Sequence, residues 1–393
     1  MSTRNQQTQD SAQFTNHLRS VRTKLGLSQG ELAVRVGVTR QAVSAIESNL
    51  YLPTTAVALR LASVLSCRVE DLFSLVPTKD IVEGILIGSL PQAETSTHPI
   101  RVKVSSVGKR TIIRPVTDLG EQLSFTVPAD GYVTETSAKQ SGTTVRVKLS
   151  RDREAIEQEI SVAGCDPSIF LVGEHLRRSK DRTTVVGWTM GSMAALQSLQ
   201  RGEVHVAGMH LFDPVTGESN LPFLRRSLKG SDYEVVTFAT WEEGFLVRAG
   251  NPLSIRAAAD LVEPMVTLVN REEGSGARLL LDQQLRTSGI EPAHVRGYDR
   301  IASTHFEVAR AIAERRAEVG IGIRSAAQYF GLDFVPLQVA RYDLVVPKPY
   351  LTSHPTLTHL FETLVSRPFR DEIEALGGYD TTETGKLHAL RVA

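Results

Sequence analysis

Four stretches in the second half of the chain place small, hydroxyl or charged residues where a short apolar run gives way to an amphipathic one. VAGCDPSIF carries Cys165, Asp166 and Ser168, and VVGWTMGSMAAL carries Gly191 and Ser192. TLVNREEGSGARLLLD carries Arg271, Gly274, Ser275, Gly276 and Arg278, and IASTHFEVARAI carries Ser303, Thr304 and His305. At such a junction the first N–H groups of a helix lack intrahelical partners and the helix dipole adds positive character, so a small anion can be held without a salt bridge. Four converging ends would suit a tetrahedral oxyanion. His210, which follows AGM at the end of another apolar run, is a further candidate. Asp166 departs from this pattern, because a carboxylate repels an oxyanion. It would suit a zwitterion such as an amino acid, with Tyr342 and Asp343 of VARYDLVVP as additions. It is also placed to cap a helix ahead of Pro167, and Gly274–Gly276 also reads as a plain tight turn.

A second chemistry lies near the N-terminus. Arg40, Gln41 and Ser44 share the polar face of a stretch that opens at Thr39 and turns Val43 and Ile46 inward. Arginine reads guanine and glutamine reads adenine in a major groove. The elements that must position them can be followed residue by residue. Leu18, Val21 and Leu25 mark one face of a first helix. Ser28 with Glu31 forms a capping box for a second, which carries Leu32, Ala33 and Val36 and stops at Gly37. Ala33 is small where two helices cross, Gly37 allows a left-handed turn, and Val38 with Ile46 fills the angle. The product is a helix–turn–helix. Across residues 18–50 five basic side chains face two acidic ones, a local net charge of +3, as a DNA-facing surface requires. The alternative is a helix–turn–helix used only for protein contact, with Arg40 and Gln41 solvated.

SQGELAVRVGVTRQAVSAIESN closely resembles the lambda-repressor/Cro-like family, also called the xenobiotic-response-element (XRE) family, over about residues 14–75. The resemblance implies that Gln29, Thr39 and Asn49 contact phosphates, while Arg40, Gln41 and Ser44 face the major groove.

Composition bounds the rest. The chain has 393 residues with 44 basic and 44 acidic side chains, so it does not coat nucleic acid or an anionic membrane along its length. Two cysteines without a C-x-x-C pair give neither a disulfide framework nor a zinc ribbon. No apolar run approaches the ~18 residues of a membrane span, and the polar N-terminus has no secretory h-region. The expectation is a cytoplasmic protein with no membrane partner.

Residues 100–149 alternate Val, Thr and Ile with polar residues and read as short antiparallel strands. From about residue 157 short apolar runs alternate with amphipathic ones, a βαβ rhythm that implies a parallel sheet covered by helices. In such a sheet ligands sit where strands end and helices begin. FATWEEGFLVRAGNP, AEVGIGIRSAA and FGLDFVPL resemble the interlobe crossing and return of the periplasmic-binding-protein-like superfamily, type II, over about residues 160–390. GSMAALQSLQRGEVHVAGMHLFD and NREEGSGARLLLD resemble, more narrowly, a substrate-binding domain of this kind fused to helix–turn–helix modules, some relatives being associated with molybdate.

Other chemistries find less support. There is no G-x-S-x-G elbow, and Cys165 stands alone in sequence, as a small buried cysteine does. His205 and His210 are not the i, i+4 pair of a helical metal site, and GSGAR lacks the Lys-Ser/Thr of a P-loop. GEHLRRSKDR reads as a solvated helix end. No catalytic residue, metal ligand or cofactor is expected.

The expected organisation is multidomain: a flexible N-terminus at 1–12, an all-α helix–turn–helix domain at 13–76, a linker and small β-rich segment at 77–158, and a two-lobed α/β ligand-binding domain at 159–393. The linker candidates are Pro77–Asp80 and Leu90–Pro99. The expected function is one-component transcription regulation: operator DNA bound as a homodimer through Gln29, Thr39, Arg40, Gln41, Ser44 and Asn49. The small effector would be sensed by Asp166, Ser168, Gly191, Ser192, His210, Arg271, Gly274, Ser275, Gly276, Thr304 and His305. That effector would be molybdate or a related oxyanion, or alternatively a small organic ligand such as an amino acid. An enzyme with a DNA-binding tether is the rival class.

Overall fold

The computed structural model describes residues 14–75, 81–90, 98–139, 142–178, 183–228 and 232–390. Residues 1–12, Pro77–Asp80 and most of the second linker candidate lie outside these. The chain divides into two compact units, Met1–Val82 and Glu83–Ala393.

Among the described residues the first unit holds five helices: α1 (Leu18–Lys24), α2 (Gln29–Val36), α3 (Arg40–Glu47), α4 (Thr55–Val64) and α5 (Val69–Leu72). A short antiparallel ribbon, β1 (Phe14–Asn16) with β2 (Phe73–Leu75), ties its two ends together. Local chemistry sets each boundary. The Ser28 hydroxyl accepts from Glu31 N–H while the Glu31 carboxylate accepts from Ser28 N–H, leaving fewer orphan donors at the start of α2. Gly37 ends that helix at φ 72°, where a side chain would be strained. The Thr39 hydroxyl then accepts from Ala42 N–H to open α3. Leu18, Leu32, Ala33, Val36, Val43, Ile46, Leu61 and Leu72 form the core.

Leu25 departs from the expected inward face. It lies one residue past the end of α1 and is 53% exposed. Beside Leu18, the buried residue of that helix is Arg22, whose guanidinium meets the Glu47 carboxylate at 2.6 and 3.0 Å and the Leu27 carbonyl at 2.6 Å. Removing this pair from the surface takes away one charge of each sign, so the local excess of +3 stands.

In the second unit, β3 (Ile81–Leu86, from Glu83 on), β4 (Arg101–Val107), β5 (Arg110–Pro115), β6 (Gly131–Lys139) and β7 (Gly142–Leu149) close into a barrel of order β3-β5-β4-β6-β7. The alternation seen in the sequence puts Val102, Val104, Val145 and Val147 inside. Two features were not expected from it: the barrel closes, and β3 runs parallel to β5. Closure leaves no long unpaired strand edge. Between β5 and β6 lies α6 (Glu121–Thr126), and α7 (Arg153–Glu157) follows the barrel.

The α/β part begins with β8 (Ile160–Gly164), α8 (Ile169–Arg178), β9 (Val185–Thr189), α9 (Ser192–Gln200) and β10 (Val206–Met209). Strands β8, β9 and β10 are parallel, as the βαβ rhythm requires. A small ribbon, β11 (Phe212–Asp213) with β12 (Glu218–Ser219), and α10 (Leu221–Ser227) lead to β13 (Tyr233–Val247). The second lobe holds β14 (Asn270–Arg271), α11 (Gly276–Thr287), β15 (Ile301–Ala302), α12 (His305–Ala313), β16 (Val319–Ile323) and α13 (Arg324–Tyr329). The chain then returns along β17 (Asp333–Pro347).

β13 and β17 are each 15 residues long and pair antiparallel along their length. At one end β17 pairs with β10 through Val345, Leu344 and Asp343. At the other, β13 pairs with β16 through Glu243–Val247. These two strands therefore cross from one lobe to the other at about residues 239–243. The C-terminal helices α14 (Lys348–Ser353), α15 (Leu357–Leu364) and α16 (Arg367–Ala375) return to the first lobe, where Leu357, Leu360, Leu364, Phe369 and Ile373 join Val172 and Leu176.

The barrel is joined to the first lobe by buried charge. Lys103 Nζ on β4 lies 2.8 Å from both Asp130 Oδ1 and Glu159 Oε1. Arg151 Nη1 reaches the same two carboxyl groups at 3.0 and 2.7 Å. Lys103, Asp130 and Glu159 are all buried. His205 adds a neutral link: Nδ1 accepts from Ser161 N–H in the lobe, and Nε2 lies 2.8 Å from the Ser106 carbonyl in the barrel. Burial, with His354 beside it, pulls the His205 pKa down to about 4.

Candidate functional site

The four junctions fold into strand-to-helix turns. Ser275 and Thr304 are N-caps, accepting from Arg278 N–H at 3.3 Å and Glu307 N–H at 2.9 Å. The Ser275 hydroxyl also donates to the Glu272 carbonyl. Ser192 opens α9, with Gly191 as its cap, and its hydroxyl accepts from His210 N–H at 3.1 Å. Asp166 caps the turn leading into α8 rather than the helix itself, its Oδ1 accepting from Ser168 N–H and from the Tyr379 hydroxyl.

Glycines let the lobes meet. A Cβ on Gly276 would sit 2.2 Å from the His210 carbonyl oxygen, so only glycine lets the start of α11 reach the end of β10. Met193 N–H of the first lobe donates to the Gly274 carbonyl of the second at 3.3 Å, and Gly274 adopts φ 80° to present it. Ser192, His210, Arg271, Ser275 and His305 are each 0–2% exposed in this closed arrangement.

Several polar atoms at this seam are buried without a hydrogen-bond partner among the described residues: Asp166 Oδ2, Arg271 Nη1, Trp241 Nε1 and both ring nitrogens of His305. Buried polar groups are normally satisfied, so their concentration here marks a place for a polar guest. Arg271 is otherwise tied down, with Nε and Nη2 on Glu272 and Nη2 also on the Ser303 carbonyl.

The centre of the seam was not expected from sequence. Cys165 Sγ lies 3.2 Å from His210 Nδ1, and His210 Nε2 lies 3.0 Å from Glu243 Oε1 on the crossing strand β13. His305 stands beside them, its ring centroid 5.4 Å from that of His210. Trp241 stacks on Tyr342 at 4.9 Å and closes one side. Burial opposes charge on His210, but Cys165 and Glu243 outweigh it and push its pKa up to about 10. His305 is held well below the usual histidine range by burial, then by Arg271 and His210. Burial raises the Asp166 carboxyl, and its hydrogen bonds only partly offset this. Of the two added candidates, Tyr342 lines the seam. Asp343 does not: its carboxylate is occupied by Asn220, Thr237 and Arg341.

A cavity of about 810 Å³ opens beside the seam, walled by α6 and the turn before it, by Thr189 of the first lobe and by Ser303, Thr304 and Arg310 of the second.

In the N-terminal unit, Arg40 and Gln41 are exposed on α3, with Ser44 half-buried and Thr39 exposed at its cap. The Gln29 carboxamide donates to Glu47 at 2.9 Å. Asn49 Oδ1 accepts from Asn16 at 2.8 Å, which leaves the Asn49 amide N–H groups for a further acceptor.

Residues 18–72 match a helix-turn-helix family, and residues 173–365 match the PBP superfamily domain. The chain is 33% identical over 228 residues to the uncharacterized protein YvgK of Bacillus subtilis, covering 58% of this chain and 73% of that protein. It is 48% identical over 59 residues to an uncharacterized HTH-type transcriptional regulator of Methanothermobacter thermautotrophicus, covering 15% of this chain and 86% of that one. Among solved structures, an ABC-type phosphate transport receptor from Vibrio cholerae aligns with a TM-score of 0.40 at 13% identity, over 56% of this chain and 98% of that one. A likeness at that level carries nothing about a ligand. No described helix is long and apolar enough to cross a membrane.

Proposed function

Because the chain belongs to the PBP superfamily and carries an N-terminal helix-turn-helix of the XRE type, we propose that it is a one-component regulator whose operator affinity follows a small ligand enclosed between its two lobes. The observation that carries this reading is the set of buried, unpartnered polar atoms at the seam, contributed by both lobes. A ligand bridging them favours the closed form, and only such a difference in affinity between two states can shift DNA binding. The DNA-binding form is a symmetric dimer on a pseudo-palindrome.

For the ligand, the free Nη1 of Arg271 supplies a cation for an anionic group. Burial moves Asp166 toward its protonated, donating form, which removes the repulsion of an oxyanion such as molybdate. The free Oδ2 of Asp166 favours a second reading, an amino acid whose ammonium group sits there. The thermal midpoint of the full chain should rise with one of these classes among molybdate, tungstate, sulfate, phosphate and amino acids. At 100 times its dissociation constant a true ligand adds about 2.7 kcal/mol. Arg271→Gln should abolish that rise and leave operator binding without ligand unchanged. A response that survives the substitution places the anionic group elsewhere.

On the DNA side, Arg40→Ala should cost roughly 1–3 kcal/mol of discrimination between operator and unrelated duplex, read by fluorescence anisotropy at fixed salt. An equal loss on both duplexes would make Arg40 a phosphate contact instead.

A further inference from the structure

Cys165 follows β8, His210 follows β10 and His305 opens α12, and no two are close in sequence. Sγ of the first and one ring nitrogen of each histidine all lie within 4.8 Å of one another. All three residues are 1–2% exposed. A thiolate and two imidazoles are the donor set of zinc and of similar thiophilic divalent ions. Bonds of about 2.0–2.3 Å in a tetrahedral site set ligand atoms about 3.5 Å apart, so the three groups need to move by about an ångström or less.

Two further observations point the same way. His210 presents Nδ1 to Cys165 while Nε2 lies 3.0 Å from Glu243 Oε1, at ion-pair distance though not aligned as a hydrogen bond in this structure. A metal-bound histidine typically donates its other N–H to a carboxylate, which fixes the tautomer and strengthens the ligand. His305 is buried with both ring nitrogens lacking a hydrogen-bond partner among the described residues. The fold has given up a polar partner for this ring, and a cation accepting its lone pair supplies one.

We infer that Cys165, His210 and His305 bind a zinc-like transition-metal ion at the interlobe seam, with Glu243 orienting His210 and a fourth coordination position left for water or a donor atom of the enclosed ligand. Binding displaces the thiol proton of Cys165 and any proton on His210 Nδ1, leaving thiolate and neutral imidazole as ligands. Because the donors come from both lobes, the ion holds the lobes closed. The inference stands apart from the regulator reading, since its readout needs neither DNA nor effector.

The test is to titrate the chelator-treated, reduced full-length protein with Co²⁺ and record its absorption. The wild type should show one equivalent of tetrahedral cobalt with a thiolate-to-metal charge-transfer band, displaced by Zn²⁺. Cys165→Ser should remove that band, and Cys67→Ser, which alters the other cysteine, should leave it intact. Glu243→Gln should weaken the metal by about 10- to 100-fold, as loss of an orienting partner does. If Cys165→Ser does not fold, His305→Ala serves, because that ring makes no hydrogen bond among the described residues, and it should weaken cobalt binding at least as much. Absence of the band in folded wild-type protein overturns the inference, as does a band that survives Cys165→Ser or disappears in Cys67→Ser.

Discussion

Replacing Lys103 by methionine is expected to lower the stability of the Glu83–Ala393 unit by roughly 3–5 kcal/mol, the cost of removing one partner from a buried ion pair. The ammonium holds two carboxylates at 2.8 Å, and all three groups are buried. Without it Asp130 and Glu159 share, among the described residues, only the Arg151 guanidinium, and two like charges remain in a poorly solvated space. Methionine fills nearly the same volume, so a cavity is not the cause. Both tryptophans, Trp188 and Trp241, lie in this unit, and their fluorescence during urea unfolding reports it alone. Adding Glu159→Gln should recover part of the loss, because it removes one of the stranded charges. An unchanged midpoint in the single variant would mean that water reaches the network. Burial alone would raise the Glu159 carboxyl, but Lys103 and Arg151 outweigh it and hold it below the glutamate range. Its folded pKa is thus depressed. The stabilisation is complete above the unfolded value of about 4.3 and fades as pH falls through the lower folded value.

The second large effect lies in the DNA-binding unit. Arg22→Met should destabilise it by roughly 3–5 kcal/mol as well. Glu47 would keep its place, with a side chain 3% exposed, and lose its only cation within 4 Å among the described residues. Gln29 would still donate to it, but a neutral amide does not replace a guanidinium. The pair ties α1 to the end of α3, so α3 is the element released. Amide exchange in α3 should accelerate by roughly a hundredfold or more. Operator binding should fall on heating well before the tryptophan signal of the other unit changes. Protection of α3 equal to wild type would show that the α1–α3 packing carries the helix without this pair.

These two pairs also show where sequence reading stops. Ser28, Glu31, Gly37 and Thr39 act on backbone within a few residues of themselves, so their roles were legible. Arg22 and Glu47 are 25 residues apart and looked like two surface charges. The period-2 alternation of residues 100–149 showed strands and could not show closure, because closure depends on which distant strands pair. The seam followed the same rule. Ser192, His210, Arg271 and His305 were marked by their places at strand ends. Cys165 was set aside for want of a neighbour, and its neighbour is 45 residues on. Glu243 lies within a stretch read only as a crossing strand. The serine and threonine hydroxyls were recognised as helix starts, but the caps they form already use much of their bonding capacity.

The closure of the seam bears on timing. With Arg271, His210 and His305 each at most 2% exposed, a ligand enclosed there has no path to solvent until the lobes part. Its departure is then limited by the rate of opening, however weak its individual contacts. A regulator built this way would hold a record of its recent surroundings. After the effector concentration drops, the operator would remain in its ligand-set state for about one opening time, so brief dips would leave transcription unchanged and only sustained ones would alter it.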